Sequence, residues 1–568
     1  MQLLNNLKDR FEINFIITQL KQNKIISIFI IINVFIVTLI EMLILGILIP
    51  IINLFNNNQK IIELISKINS FLPLSLSFKN FLIILFSLII FFFLISGILQ
   101  FLHFLMVNKL TEKIFKNWKN QIITSYLSQE IMYFINKKTG DLIQKSLVHS
   151  RDASLLISQL LLFAKELTIS FALLTFLIYL SVSLSFLFFI IFILIFFNSF
   201  YLAKKYVYYK SNYIAIVQEK IFNIFTTIFN SIKVIKAYHK EKYFLKKVGQ
   251  LNEDYFLNKS IVETMVTVPS IINRTATYIF ALLVLFSLLL FYNTPENISL
   301  LIIFIAGVYK INNSLSVLSN SFLSMTNLAP SLKIVKNQIN MKNKKIFNEN
   351  SIQEDLKIIK SISYENIYFK YPESSFEINI KNLKFNKGNT YCIYGDSGVG
   401  KSTLLDILCN FNKINLNFLV DDNQINLSFV PKNFFGYLNQ NTYIFPDTIK
   451  ENINFYNEEK NTTNYNKAIE ISGLEKFIES CEFKDNSLIE ELGSNISGGQ
   501  KQRISLARLI NGDFQVYILD EATNNLDSDS ELSIMKKLIE WIKEKNKILI
   551  YVTHSSKIQK LADNTIEI

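Results

Sequence analysis

Apolar and polar residues are segregated on the scale of the whole chain. Ile25–Leu54, Phe81–Val107, Leu167–Ala203, Ile261–Tyr292 and Ile298–Leu323 are long apolar runs with few charges, all before residue 330. A helix needs about 20 residues to cross a hydrocarbon core roughly 30 Å thick, so each run is long enough to span a bilayer. Leu167–Ala203 is 37 residues without a charge; as one helix it would reach about 55 Å. Two spans joined by a tight turn near Ser181–Ser185 use that length, which predicts six transmembrane helices in all.

The intervals between the runs are unequal. Residues 108–160 and 204–260 are each over 50 residues long and carry 8 and 11 Lys/Arg, whereas the opposite loops carry only Lys60, Lys67 and Lys79. The excess of positive charge places the long intervals and both termini on the cytoplasmic side. Their steady apolar content predicts paired helical arms that prolong the spans. Gly140-Asp141 is expected to break the first arm, and the segment Lys236–Glu241 to turn the second, which makes both the natural contact points for a cytoplasmic domain. Residues 1–335 therefore read as a membrane domain, 336–355 as a polar linker rich in Asn and Lys, and 356–568 as a soluble α/β domain.

Composition adds little to this picture. Half of the 568 residues are apolar, Phe alone supplying 50, and the formal charge is +12. The Lys surplus adjoins the apolar runs, which favours a membrane surface over nucleic acid as its partner. Cys392, Cys409 and Cys481 lack metal-ligand spacing and imply no oxidised framework. The first 24 residues are polar and lack the apolar core of a cleaved signal.

Chemistry concentrates after residue 356, where short β-branched runs alternate with helical patterns. The apolar stretch Thr390–Tyr394 leads directly into Gly395-Asp-Ser397-Gly398-Val-Gly400-Lys401-Ser402 and then the helical Thr403–Cys409. This is a phosphate-binding loop in its required strand–loop–helix setting. Its glycines let backbone amides approach phosphates and the helix start adds positive potential. Lys401 suits the β- and γ-phosphates of ATP, and the Ser402 hydroxyl suits Mg²⁺. Val516-Tyr-Ile-Leu-Asp520-Glu521 reads as a buried strand delivering two carboxylates, Asp520 for the magnesium shell and Glu521 to polarise the attacking water.

Asn495-Ile496-Ser497-Gly498-Gly499-Gln500 opens a basic helix about 20 residues before Asp520. With the elements above it resembles the signature of ABC ATPases. The order of six spans, long arms and one cassette is similar to an ABC exporter over nearly the whole chain. The resemblance implies further roles. Tyr371 matches the aromatic that stacks on adenine. Gln440 matches the glutamine that meets the γ-phosphate and metal, Glu491 an acidic residue near the coupling helices, Asn524-Asn525-Leu526-Asp527 the D-loop, and His554 the switch histidine. Lys401, Gln440, Glu521 and His554 are thus the catalytic candidates. Gly395, Ser397, Gly398, Gly400, Ser402, Thr403 and Asp520 join Tyr371 around the nucleotide, with Ser402, Gln440 and Asp520 as metal ligands. In that family Ser497, Gly498, Gly499 and Gln500 complete the site of the opposite subunit, which implies a second copy of this chain. The D-loop departs from the common Ser-Ala at Asn524-Asn525, and the Asn-rich 410–430 is expected to form a peripheral hairpin.

The cargo is the least legible part. Glu41, Arg274 and Lys310 fall near mid-depth of their spans, where charges either line a hydrated cavity or pair with one another. If they line a cavity its net charge is positive and suits an anionic head group. The first span is loosely similar to bacterial flippases for lipid-linked oligosaccharides. Peptide or bacteriocin, multidrug and lipid exporters are the alternatives, with an ATP-gated channel or regulator further off. The expected setting is a bacterial cytoplasmic membrane.

Overall fold

The computed structural model describes residues 11–53, 78–135, 137–291, 295–341, 360–370, 376–396, 398–412, 414, 416–425, 427, 430, 433–456, 462–524 and 526–568. The chain divides into two compact units, one of Met1–Gln129 with Asn136–Lys344, the other of Glu130–Ile135 with Lys345–Ile568.

The first unit is all helical. A short α1 (Ile13–Gln22) leads into α2 (Lys24–Asn53) and then α3 (Phe78–Leu127). The short α4 (Ile131–Ile135) belongs to the second unit; the first resumes with α5 (Thr139–Gln144), and a π-helical turn at Lys145–His149 continues into α6 (Ser150–Leu180). Ser181 is extended, with φ −158° and ψ 113°, and ends α6. The next helix, α7 (Val182–Leu202), starts at once, so the uncharged 37-residue run is broken where its length required. A second π-helical turn, α8 (Tyr208–Asn230) and the short α9 (Ile232–Ala237) lead to the long α10 (Glu241–Phe291) and α11 (Pro295–Ile339). Among the described residues five helical segments are long and apolar enough to cross a membrane. The sixth expected span corresponds to α7, a separate helix of 21 residues.

The helices α3, α10 and α11 run on well past their apolar stretches, as the arm reading requires. The turn of the second arm falls at Tyr238–Lys240, as expected, with His239 left-handed at φ 53°. The first arm differs. It breaks at Ser128–Glu130, and Gly140-Asp141 lies inside α5. Gly140 is there for close approach: a Cβ on it would sit 2.8 Å from Asn223 Oδ1 and 3.0 Å from the Asn223 backbone nitrogen on α8.

The core of this unit joins α2, α6, α10 and α11 through Val37, Leu45, Ile169, Leu173, Leu177, Phe280, Phe304, Val308 and Ile311. Polar glue crosses it at one level. Glu41, buried on α2, accepts hydrogen bonds from Ser96 Oγ at 3.0 Å and Gln100 Nε2 at 3.1 Å on α3. It also pairs with Lys310 on α11, whose ammonium lies 5.8 Å from the Phe93 ring centre. The mid-depth charges therefore separate. Glu41 and Lys310 neutralise each other, while Arg274 on α10 is exposed and forms no ion pair with a described residue.

The second unit builds an antiparallel sheet in the order β2-β1-β4-β5 from β1 (Ser361–Lys370), β2 (Glu377–Asn386), β4 (Asn417–Val420) and β5 (Asn423–Ile425). The Asn-rich stretch does form a hairpin, and two aspartates supply its turn: Asp421 and Asp422 are left-handed at φ 52° and 65°. A parallel sheet in the order β6-β7-β8-β3-β9 contains β3 (Thr390–Tyr394), β6 (Phe435–Leu438), β7 (Val516–Asp520), β8 (Ile548–Val552) and β9 (Asn564–Glu567). Every residue of β7 and β8 is buried, the mark of central strands covered on both faces. Alternation then sorts their side chains. Tyr517, Leu519, Leu549 and Tyr551 join one core, Val516, Ile518, Ile548 and Ile550 the other. Cys392 and Cys409 fill these cores, and burial pushes the Cys392 thiol up to about 11, which leaves it unreactive.

Candidate functional site

In the parallel sheet the carboxyl ends of four adjacent strands open on one edge. Moving along it, β6 delivers Gln440, β7 delivers Asp520 and Glu521, β8 delivers His554, and β3 delivers the loop Gly395–Ser402. Sequence separations of over 150 residues thus collapse into one crevice, because parallel strands all point their carboxyl ends the same way.

The loop after β3 ends in α12 (Lys401–Leu408), whose preceding Gly400 is left-handed at φ 103°. A Cβ there would lie 2.3 Å from Phe376 Cζ, so only glycine lets the loop turn tightly onto the helix. The buried Lys401 ammonium donates to the carbonyls of Gly395 and Asp396, both at 2.9 Å, and so sits inside the loop's curve. Tyr371 and Ser397 lie outside the described residues.

Glu521 stands on strained backbone. It is left-handed at φ 48°, and its N–H donates to the Val552 carbonyl at 3.2 Å. Three side chains reach its carboxylate. His554 Nε2 lies 2.8 Å from Oε1, while Gln440 Nε2 at 2.7 Å and Asn524 Nδ2 at 2.8 Å both donate to Oε2. The structure therefore brings three of the four catalytic candidates, Gln440, Glu521 and His554, into direct contact. Asn524 is a site residue that the sequence reading did not single out; only its departure from the common D-loop pointed to it.

Asp520 is 4% exposed. Burial pushes its carboxyl above the ordinary range, a hydrogen bond with Ser402 opposes this, and the Glu521 carboxylate adds to it. Tyr437 Oη lies 3.5 Å from Oδ2, whereas Oδ1 is buried with no hydrogen-bond partner among the described residues. An open, buried carboxylate oxygen beside a serine hydroxyl fits a hard divalent cation. No cluster of three His, Cys, Asp or Glu exists among the described residues. A cation here would take the rest of its shell from phosphate oxygens and water, as Mg²⁺ commonly does.

The segment Asn495–Gln500 forms a separate anion-seeking end. Ser497 caps the helix α13 (Gly498–Asn511) in a reciprocal box: Gln500 N–H donates to Ser497 Oγ at 3.2 Å, and Ser497 N–H donates to Gln500 Oε1 at 2.8 Å. The amides of Gly498 and Gly499 fall in the first helical turn, and space beside Gly498 is open. Among the described residues no hydrogen bond or ion pair joins Ser497–Gln500 to the Gly395–Ser402 loop or to Glu521.

These features define a helical membrane unit joined to a P-loop ATPase unit, and comparison with known proteins gives the family. The ABC transporter transmembrane region model matches residues 24–315, and the ABC transporter model matches residues 378–524. The chain belongs to the ABC transporter family. A probable ABC transporter ATP-binding/permease protein of Haemophilus influenzae is 35% identical over 221 residues, which is 38% of this chain and 39% of that protein's own length. A putative multidrug export ATP-binding/permease protein of Bacillus subtilis is 27% identical over 343 residues, 58% of this chain and 57% of that one. The structure of a bacterial Atm1-family ABC exporter with ATP bound superposes with a TM-score of 0.79 at 14% identity, covering 97% of this chain and 93% of that one. The fold is that of an ABC exporter, a helical membrane domain followed by an α/β nucleotide-binding domain.

Proposed function

We propose that the chain is one half of an ATP-driven exporter of the cytoplasmic membrane, working as a dimer of identical chains. In this reading residues 1–335 form the membrane domain, 336–355 the linker and 356–568 the cassette. The observation that carries it is the Glu521 carboxylate, held by Gln440, His554 and Asn524 on the same sheet edge as the phosphate loop. Amides of Gly395, Gly398 and Gly400, the Ser397, Ser402 and Thr403 positions and the Lys401 ammonium bind the phosphates. Tyr371 takes the adenine. Ser402, Asp520 and Gln440 would hold Mg²⁺, which would supply charge neutralisation at the phosphates. Glu521 accepts the proton of the attacking water, and His554 steadies the carboxylate and the leaving phosphate.

Each chain carries one phosphate loop and one Ser497–Gln500 helix end, and among the described residues the latter makes no bond to its own loop. The open amides of Gly498 and Gly499 are available to the γ-phosphate bound on a second copy. A site shared across two chains couples ATP binding to closure of the pair. The segment α4 groups with the ATPase unit and is the natural coupling element. Closure would draw the arms together and turn the membrane cavity outward.

For the cargo, the exposed Arg274 carries the argument. A cation near mid-depth that lacks an acid is stable where water or an anion reaches it, and this favours an amphipathic anionic molecule such as a lipid-linked sugar phosphate. The likeness to a putative multidrug export protein of Bacillus subtilis supports drugs as a second reading. ATPase stimulation in liposomes by polyprenyl-diphosphate sugars, peptides and hydrophobic drugs separates these, with Glu521→Gln as the control. That variant should bind ATP yet turn it over at well under a hundredth of the parent rate; turnover within threefold of the parent removes Glu521 from the mechanism.

A further inference from the structure

We infer that Asn524 is a positioning residue for ATP hydrolysis, fixing which oxygen of Glu521 faces the water. The inference rests on the reading of Glu521 as the water-activating group. A carboxylate oxygen has two in-plane lone pairs, four for the whole group. In this structure Oε2 accepts two hydrogen bonds, from Gln440 Nε2 at 2.7 Å and Asn524 Nδ2 at 2.8 Å. Its lone pairs are both taken. Oε1 accepts one hydrogen bond, with His554 Nε2 at 2.8 Å, and keeps one lone pair. The proton of an attacking water therefore goes to Oε1 on the His554 side, and the Gln440–Asn524 pair is what holds the group in that orientation.

Two features make Asn524 necessary here. Glu521 sits on left-handed backbone at φ 48°, just past the end of β7, so its side chain no longer follows the strand's alternation. Gln440 is also the residue assigned to the metal shell; its carbonyl oxygen can face a cation while its amide stays on Oε2, but without Asn524 the carboxylate keeps one donor on each oxygen, Gln440 on Oε2 and His554 on Oε1, and the two oxygens are no longer distinguished. Asn524 is the second, local donor. It lies three residues from Glu521, on a turn closed by its own N–H donating to the Glu521 carbonyl at 3.3 Å. The tether is short and rigid. Serine, the common residue at this place in the resemblance drawn above, carries a hydroxyl on a shorter stem.

The test is ATPase kinetics of the full-length chain in lipid, with Asn524→Ala, Asn524→Asp and Asn524→Ser, and Glu521→Gln measured alongside. Asn524→Ala should lower kcat about five- to thirtyfold with the KM for ATP unchanged, the loss expected of one hydrogen bond to a charged group while Gln440 remains. Asn524→Asp, which sets a second carboxylate against Oε2, should lose more, and Asn524→Ser, which keeps a shorter donor, should lose less than alanine. Thermal stability should stay at the parent value in all three, because Asn524 is exposed. The inference is overturned if the alanine and aspartate variants keep kcat within twofold of the parent, if kcat rises, or if KM rises while kcat holds. Turnover by Glu521→Gln would instead overturn the underlying reading of Glu521, so the two failures are distinct.

Discussion

Removing one charge from the membrane bundle should separate a structural cation from a free one. Lys310 and Glu41 form an ion pair whose side chains are 24% and 10% exposed. Replacing Lys310 with Gln leaves the Glu41 carboxylate, among the described residues, with the Ser96 hydroxyl and the Gln100 amide as its partners. Breaking one side of a buried pair costs about 3–5 kcal/mol, because the remaining charge is uncompensated. Adding Glu41→Gln removes that charge and keeps an acceptor for Ser96 and Gln100, so the double variant should return to within about 1 kcal/mol of the parent. With a Glu41→Gln single variant no more stable than the parent, the coupling between the two sites is then at least about 2 kcal/mol, above the additivity error for independent sites. Arg274→Gln should fall within about 0.5 kcal/mol of the parent, since Arg274 is exposed and forms no ion pair with a described residue.

The readout is the temperature at which half the ATPase activity survives a fixed heating time in detergent, a measure of kinetic stability. For a loss of about 3 kcal/mol in a unit of this size, Lys310→Gln should fall by roughly 4 °C. The double variant should recover most of that, and Arg274→Gln should not move. In liposomes the order reverses: Arg274→Gln should weaken stimulation by an anionic lipid-linked substrate and leave basal ATPase near the parent. If Lys310→Gln is as stable as Arg274→Gln, or the double variant is no better than the single, the pair does not carry this charge balance. If Arg274→Gln leaves every stimulation curve unchanged, the anionic-cargo reading fails.

Two further outcomes follow from the cassette. Purified mixed dimers of one Lys401→Ala chain and one Ser497→Ala chain combine one intact composite site with one doubly broken site, so equilibrium binding should count one nucleotide per dimer; two equal sites would contradict a shared site. Gly400→Ala places a Cβ 2.3 Å from Phe376 Cζ on backbone at φ 103°, which should weaken ATP binding at least tenfold, the cost of about 1.4 kcal/mol of strain; unchanged affinity would show that the loop does not need its tight turn.

What could be read from the sequence alone was local or was set by length. The phosphate loop, the carboxylates of β7 and the helix start at Ser497 are short motifs whose chemistry depends on adjacent residues, and the break at Ser181 follows from a run too long for one crossing. The contacts that needed the fold are those where direction around an axis matters. Depth in a span places Glu41, Arg274 and Lys310 at one level, but not which way each side chain points about its helix, so which base Glu41 selects was open until α2 and α11 were packed together. Gly140 shows the converse error. Glycine's backbone freedom suggests a breaker, whereas Gly140 lies within a helix and its missing Cβ makes room for Asn223 of α8, whose Oδ1 would lie 2.8 Å from that carbon. Asn524 belongs to the same class. As a departure from a common motif it carried no chemistry in the sequence, and only the left-handed turn at Glu521 brings its amide onto the carboxylate. Local motifs thus supply the reacting groups in this chain, and packing between elements decides which neighbours orient them; substitutions at Asn524, Lys310 and Gly140 test that second layer without touching the groups assigned to the chemistry.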